Sequence, residues 1–127
     1  MSAWRAAIEG GDAILFATPE YNSSIPGQLK NAVDWASRPF ADTVLRNKPT
    51  AVIGASTGMF GAVWAQSELR KVLGAAGARV VDPELPVASA DEAFDKSGAL
   101  AEPGLSLELG NILIELVELA GRRRIAV

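Results

Sequence analysis

Two short apolar runs, each followed by a turn-rich loop and then a helix, limit what this chain can fold into more than any other feature. Ala13 to Ala17 reads AILFA and Thr50 to Ala55 reads TAVIGA. Runs of that length without polar alternation are strands covered on both faces, and such strands are joined by helical crossovers. The loop after the first run, TPEYNSSI, leads to a helix from about Pro26 to Ala36, where proline suits the first turn. Leu29, Ala32, Val33 and Ala36 share one face of that helix, and Lys30 can pair with Asp34 one turn on. The loop after the second run, Ser56 to Gly61, leads to a helix from about Ala62 to Ala76, stopped by Gly77.

The remaining segments continue the alternation. Ser2 can cap a short helix through about Glu9, which Gly10 and Gly11 stop, and Arg79 to Val81 reads as a short third strand. Pro83 to Pro103 reads as a long excursion with at most a short helix near Ala88 to Phe94. In the last helix, about Leu105 to Arg122, the residues Glu108, Asn111, Glu115, Glu118 and Arg122 form one narrow polar stripe, so the helix is expected to be mostly buried. The order predicts one α/β domain, residues 1–127, with a parallel sheet and helices on both faces. Ligands of such sheets bind beyond the carboxyl ends of the strands, where Thr18 to Ser24 and Ser56 to Gly61 both lie.

Composition then removes whole classes of chemistry. The 127 residues include no cysteine and no histidine, which excludes a thiolate nucleophile, a Ser-His-Asp triad and the common zinc sites. No metal site is expected and an imidazole acid or base is excluded, so enzymatic chemistry is expected to be borrowed from a cofactor. A net charge of −3 with one basic cluster, Arg122 to Arg124, argues against nucleic acid; that cluster reads as a solvated helix end. Neither a secretory signal nor a bilayer-spanning run is evident, and a cytoplasmic setting is expected.

Read alone, several residues keep two meanings. Asn22, Ser23 and Ser24 suit an ordinary turn as well as a ligand loop. Glu20 is either a solvated acid or a ligand contact, and Gly58 with Gly61 either a tight turn or a close backbone approach. Tyr21 either flanks a ligand or packs between subunits. Trp35 and Trp64 are packing or interface residues, and Arg38 meets either a cofactor phosphate or a surface partner.

The segments TPEYNSSIPGQLKNAVDWASRP (18–39), KPTAVIGASTGMFGAVWAQSELRKVL (48–73) and GARVV (77–81) resemble the NADPH-dependent FMN reductase family, a flavodoxin-like group that includes quinone, azo-dye and chromate reductases. The resemblance extends through AFD (93–95) and the closing helix. It implies FMN as cofactor, NAD(P)H as co-substrate, hydride transfer to a small-molecule electron acceptor such as flavin or quinone, and a homodimer or homotetramer. It further implies cofactor contacts from Pro19, Glu20, Tyr21, Asn22 and Ser23 at the flavin ring, and from Ser56, Thr57, Gly58, Met59 and Gly61 on its pyrimidine side. The family begins with a strand and a Gly-Ser-Leu-Arg type loop that cradles the FMN phosphate, and this sequence has no such segment. Hence the expectation is a partial flavodoxin-like domain lacking the first two strands, with the Ala13 to Ala17 strand left as an edge. Three accounts follow: a piece of a longer reductase, which is preferred; an obligate oligomer paired through that edge; or a non-catalytic interaction module without flavin.

Overall fold

Strand β2 (Pro49–Ala55) lies between β1 (Ile14–Thr18) and β3 (Arg79–Val87), and both pairings are parallel. In this computed structural model the backbone is described for residues 2–126 and the side chains for 2–122. Thr50, Ala51 and Val52 are completely buried because helices cover β2 on both sides. Helices α1 (Ser2–Gly10), α2 (Gly27–Ala36) and α3 (Val63–Ala75) enclose one core with Phe16, Val52, Leu69 and Leu73. On the opposite face α5 (Pro103–Ala126) packs Ile112, Leu116 and Leu119 against Ala51, Val81, Leu85 and Val87.

Polar contacts lock this arrangement. The Trp4 indole N–H donates to the Ala32 carbonyl at 2.8 Å, fastening α1 to α2. Lys48 is buried at the start of β2 and its ammonium donates to the Gly11 carbonyl, tying β2 to the turn before β1. Lys30 and Asp34 pair at 3.0 Å as their spacing predicts, and Gly77 takes φ +96° after α3.

Three expectations change. The residues AILFA are not buried on both faces: Phe16 packs into the core with α2 and α3, whereas Leu15 and Ala17 are exposed. Among the described residues β1 has one strand neighbour, and it stands at an edge as expected although its composition fits a central position. The third strand does not stop at Val81 but continues to Val87 through Pro83 and Pro86. A register shift between Thr50 and Val52 lets β3 bypass Pro83, and an edge strand tolerates the missing N–H groups. The short helix after it is α4 (Ala90–Ala93), inside the expected range. Finally, α5 is not mostly buried: Leu107, Ile114 and Val117 are 59–68% exposed. Arg122 is exposed at its end, and the side chains of Arg123 and Arg124 lie outside the described residues.

Gln66 and Gly61 join the top of α3 to β3. The fully buried Gln66 amide donates to the carbonyls of Gly61 (2.9 Å) and Leu85 (3.0 Å) and accepts the Leu85 N–H (3.1 Å). Gly61 has φ +60°, and a Cβ there would stand 2.6 Å from the backbone of Pro86 and Val87. Both the left-handed backbone, unfavourable by about 1–2 kcal/mol for other residues, and the overlap with β3 require glycine. Gly61→Ala is therefore expected to destabilise the chain by more than about 2 kcal/mol, read as a lower urea midpoint at unchanged m value.

Candidate functional site

The carboxyl ends of β1 and β2 open onto two loops whose shapes are set by their own hydrogen bonds. After β1, Tyr21 and Ser24 exchange backbone hydrogen bonds of 2.9 and 3.1 Å around Asn22 and Ser23, at φ +53° and +62°. Two consecutive left-handed residues between a bonded pair make a two-residue hairpin turn of type I′. The turn projects Tyr21, Asn22 and Ser23 outward, and Tyr21 is 60% exposed.

Glu20 fastens this turn to the helix after β2. Its carboxylate Oε1 accepts the Ala65 N–H at 2.8 Å, in the first turn of α3. The residue before α3 is Ala62, in a left-handed conformation and without a capping side chain, so Glu20 supplies from another loop the acceptor that this helix start lacks. The negative charge also suits the positive end of the helix dipole.

The second loop is held to β3. Ser56 donates its N–H to the Val87 carbonyl (3.0 Å) and its carbonyl accepts the Ala90 N–H (2.9 Å). The Ser56 hydroxyl accepts the Gly58 N–H at 3.1 Å, and the Gly58 carbonyl accepts the Ser89 N–H at 2.9 Å. Thr57, Gly58 and Met59 are left at the surface, and a Cβ at Gly58 would meet only Ser56 Oγ, at 3.5 Å. Gly61 approaches Pro86 and Val87 of its own chain instead of facing outward.

Of the ten residues singled out in the sequence, Pro19, Tyr21, Asn22, Ser23, Thr57, Gly58 and Met59 are exposed around these two loops. Glu20 and Ser56 are half-buried and bonded within the chain, and Gly61 is buried. The Glu20–Ala65 bond ties the first loop to α3, the helix into which the second loop leads. Among the described residues, the backbone N–H groups of Asn22, Ser23, Thr57 and Met59 have no acceptor inside the chain. Neither loop carries lysine, arginine or histidine.

Two features were not legible as site elements. Phe60 and Trp64 pack edge to face with centroids 5.0 Å apart and both remain about half exposed, forming an aromatic wall beside the second loop. Their i, i+4 spacing was available as a signal, but it reads equally as core packing. An apolar cleft of about 600 Å³ also runs from Ala17, Thr18 and Pro19 across Ile53 and Ala55 to Phe94, Leu100 and Leu109. Its rim is a hairpin in which Phe94 bridges Leu100, and Asp95 accepts hydrogen bonds from Ser97 Oγ (2.6 Å) and the N–H groups of Ser97 (2.8 Å) and Ala99 (3.2 Å). The Ser97 hydroxyl first, then these N–H groups, hold the Asp95 carboxyl below its ordinary value of 3.8. No cluster of three or more Asp, Glu, His or Cys suited to a metal occurs among the described residues. None of their helices is long and apolar enough to cross a membrane.

With this geometry in view, comparison with known proteins is informative. The family model for NADPH-dependent FMN reductases matches residues 1–92. An NAD(P)H-dependent FMN reductase of Pseudomonas aeruginosa is 47% identical over 100 residues, which are 78% of this chain and 54% of that protein. An NAD(P)H:quinone oxidoreductase of Solanum tuberosum is 38% identical over 123 residues, 94% of this chain and 62% of its own length. Among solved structures, the flavoenzyme NAD(P)H:(acceptor) oxidoreductase FerB of Paracoccus denitrificans superposes with a TM-score of 0.78 at 36% identity, covering 93% of this chain and 65% of that one. The chain thus spans little more than half the length of the curated relatives it matches.

Two outcomes follow from the loop geometry. Glu20→Ala should cost about 1 kcal/mol in urea unfolding, as loss of a helix cap does, whereas Glu20→Gln, which keeps an acceptor oxygen, should recover most of it. Because the Asp95 carboxyl titrates lower when folded, its support of the hairpin is fully present above about pH 3.8 and is lost as pH falls through the lower folded value. Amide exchange at Ser97 and Ala99, corrected for intrinsic rate, should accelerate only below that pH.

Proposed function

The chain belongs to the NADPH-dependent FMN reductase family, and we propose that its two carboxyl-edge loops form the flavin-ring portion of an NAD(P)H-dependent reductase site. The observation that carries this reading is the room at Gly58, where a Cβ would meet only Ser56 Oγ at 3.5 Å, flanked by backbone N–H groups of Thr57 and Met59 that no atom of the described residues accepts. A flavin ring is a flat apolar plate with a hydrogen-bonding edge that grows more negative on reduction, and it needs such donors at that edge. When bound, FMN supplies hydride acceptance from NAD(P)H and electron delivery to a small-molecule acceptor such as a flavin or quinone.

The protein's own part is positional. Thr57 and Met59 offer N–H groups to the ring edge, and Gly58 leaves room for its approach. Pro19, Tyr21, Asn22 and Ser23 form the opposite wall, with Tyr21 and Met59 as large side chains able to flank a plate. Glu20 acts through Ala65, holding the first loop against α3, and so serves as a positioning residue. Ser56 and Gly61 set the path of the second loop rather than its surface. No acid or base is required of these side chains, which agrees with the absence of histidine. The ring end therefore fits, while the phosphate end finds no cationic residue in either loop.

FMN fluorescence titration of the purified 127-residue chain, with size-exclusion chromatography on the same sample, tests the reading. Quenching that saturates at micromolar FMN or below is expected. Gly58→Val should weaken it at least tenfold while leaving the circular dichroism spectrum unchanged, since its Cβ has room in the free protein. A folded chain that neither quenches FMN nor oxidises NAD(P)H with excess FMN would overturn the reading for this chain and leave it a piece of a longer reductase or an interaction module.

A further inference from the structure

Two aromatic rings stand beside the second loop with much of their surface in solvent. Phe60 lies at the exit of that loop and Trp64 in the first turn of α3, with ring planes at 66° and exposures of 55% and 48%. Covering an aromatic ring is among the larger gains open to a fold, so an adjoining exposed pair marks a surface kept for something else.

The pair is held in place through its backbone. Val63 donates its N–H to the Phe60 carbonyl at 3.2 Å, and Glu20 takes the Ala65 N–H, so the residues on both sides of Trp64 are bonded. The same Glu20 bond has Tyr21 one residue from one end and Trp64 one residue from the other. The indole N–H of Trp64 has no acceptor among the described residues, whereas that of Trp4 is spent on the Ala32 carbonyl. Neither loop carries a cation, and Glu68, one turn along α3, is paired with Lys71 at 3.0 Å.

We propose that Phe60 and Trp64 dock the electron acceptor, and that they select a neutral fused-ring quinone. The choice of a quinone rests on the reductase reading. An anionic ligand finds no counter-charge at these rings, whereas a flat neutral one finds apolar faces and a free donor. Two rings at 66° form a corner in which a plate lying flat on one meets the edge of the other, and the indole edge carries the N–H that a quinone oxygen accepts. Aromatic faces are electron-rich and a quinone ring is electron-poor, which favours stacking. Stacking grows with the area of the plate, so two fused rings are held more tightly than one. Area also decides against a second copy of the chain as the occupant. An aromatic side chain buries about 150–250 Å² when covered, so two half-exposed rings offer about 200 Å², against about 800 Å² per partner in a stable interface. Adding the exposed parts of Tyr21 and Met59 brings this to about half of what such an interface needs.

The probes are dimethylnaphthoquinone and tetramethylbenzoquinone, each methylated at every free carbon of the quinone ring and so protected from addition by lysine. They are titrated into the full 127-residue chain without flavin or NAD(P)H, and the indole N–H signals of Trp4, Trp35 and Trp64 are followed by nitrogen–proton correlation spectra. The Trp64 signal alone should shift, saturably, with the naphthoquinone bound several-fold more tightly than the benzoquinone. Phe60→Ala and Trp64→Ala, both at exposed positions, should weaken naphthoquinone binding at least tenfold by equilibrium dialysis. Trp35→Ala, which removes an equally exposed indole on α2, should not. A folded chain whose Trp64 signal stays still, or whose binding survives both alanine variants at the site, would overturn the proposal. Equal affinity for the two probes would overturn the selection of a fused ring. A homodimer in which the Trp64 indole is already protected without quinone would assign the rings to a second copy and overturn the proposal too. Because no flavin is present, a failed FMN titration and a failed quinone titration are distinguishable results.

Discussion

The central strand β2 must be bonded on both edges and covered on both faces, and the other elements take their places from that requirement. Parallel pairing needs crossovers long enough to return to the same end of the sheet, and α2 and α3 are those crossovers. Burial of Thr50, Ala51 and Val52 needs a helical layer on each side, which α3 and α5 provide. With the strands parallel, the loops after β1 and β2 emerge at one edge. The site is thus a consequence of strand direction before it is a matter of side chains.

At that edge the protein uses its few polar side chains to shape backbone. Glu20 takes an α3 N–H, the Ser56 hydroxyl takes the Gly58 N–H, and Gln66 binds Gly61 to β3. These bonds stiffen the two loops and leave other N–H groups without internal partners. A rigid frame of backbone donors suits a bound group that carries its own reactivity, since the protein then has only to orient it and tune its surroundings. The absence of histidine is consistent with this division of labour.

The same sheet is complete on one side and open on the other. β3 meets solvent with prolines, charges and a register shift, whereas β1 presents five residues of central-strand character beside a bare helix face. The hydrophobic pattern of α5 explains why its narrow polar stripe did not translate into burial: the apolar arc is wide enough for two neighbours, and the described residues supply one.

Element order, parallel pairing, the helices on both faces and the two carboxyl-edge loops were legible in the sequence because each rests on local signals: unbroken apolar runs, Pro26 at a helix start and Gly77 past a helix end. The continuation of β3 through Pro83 and Pro86 was not, since proline is a poor strand residue until its N–H faces an edge. The roles of Glu20 and Gly61 were also hidden. In sequence one is an acid in a loop and the other a glycine before a helix; in space one caps a helix 45 residues away and the other lies against β3. By itself, then, the sequence determined which segments become strands and helices and which loops share an edge, because backbone propensity and hydrophobic period are short-range. Only the tertiary structure decided which strand stands at an open edge, which polar groups are spent within the fold and which remain for a ligand, because those depend on neighbours brought together by packing.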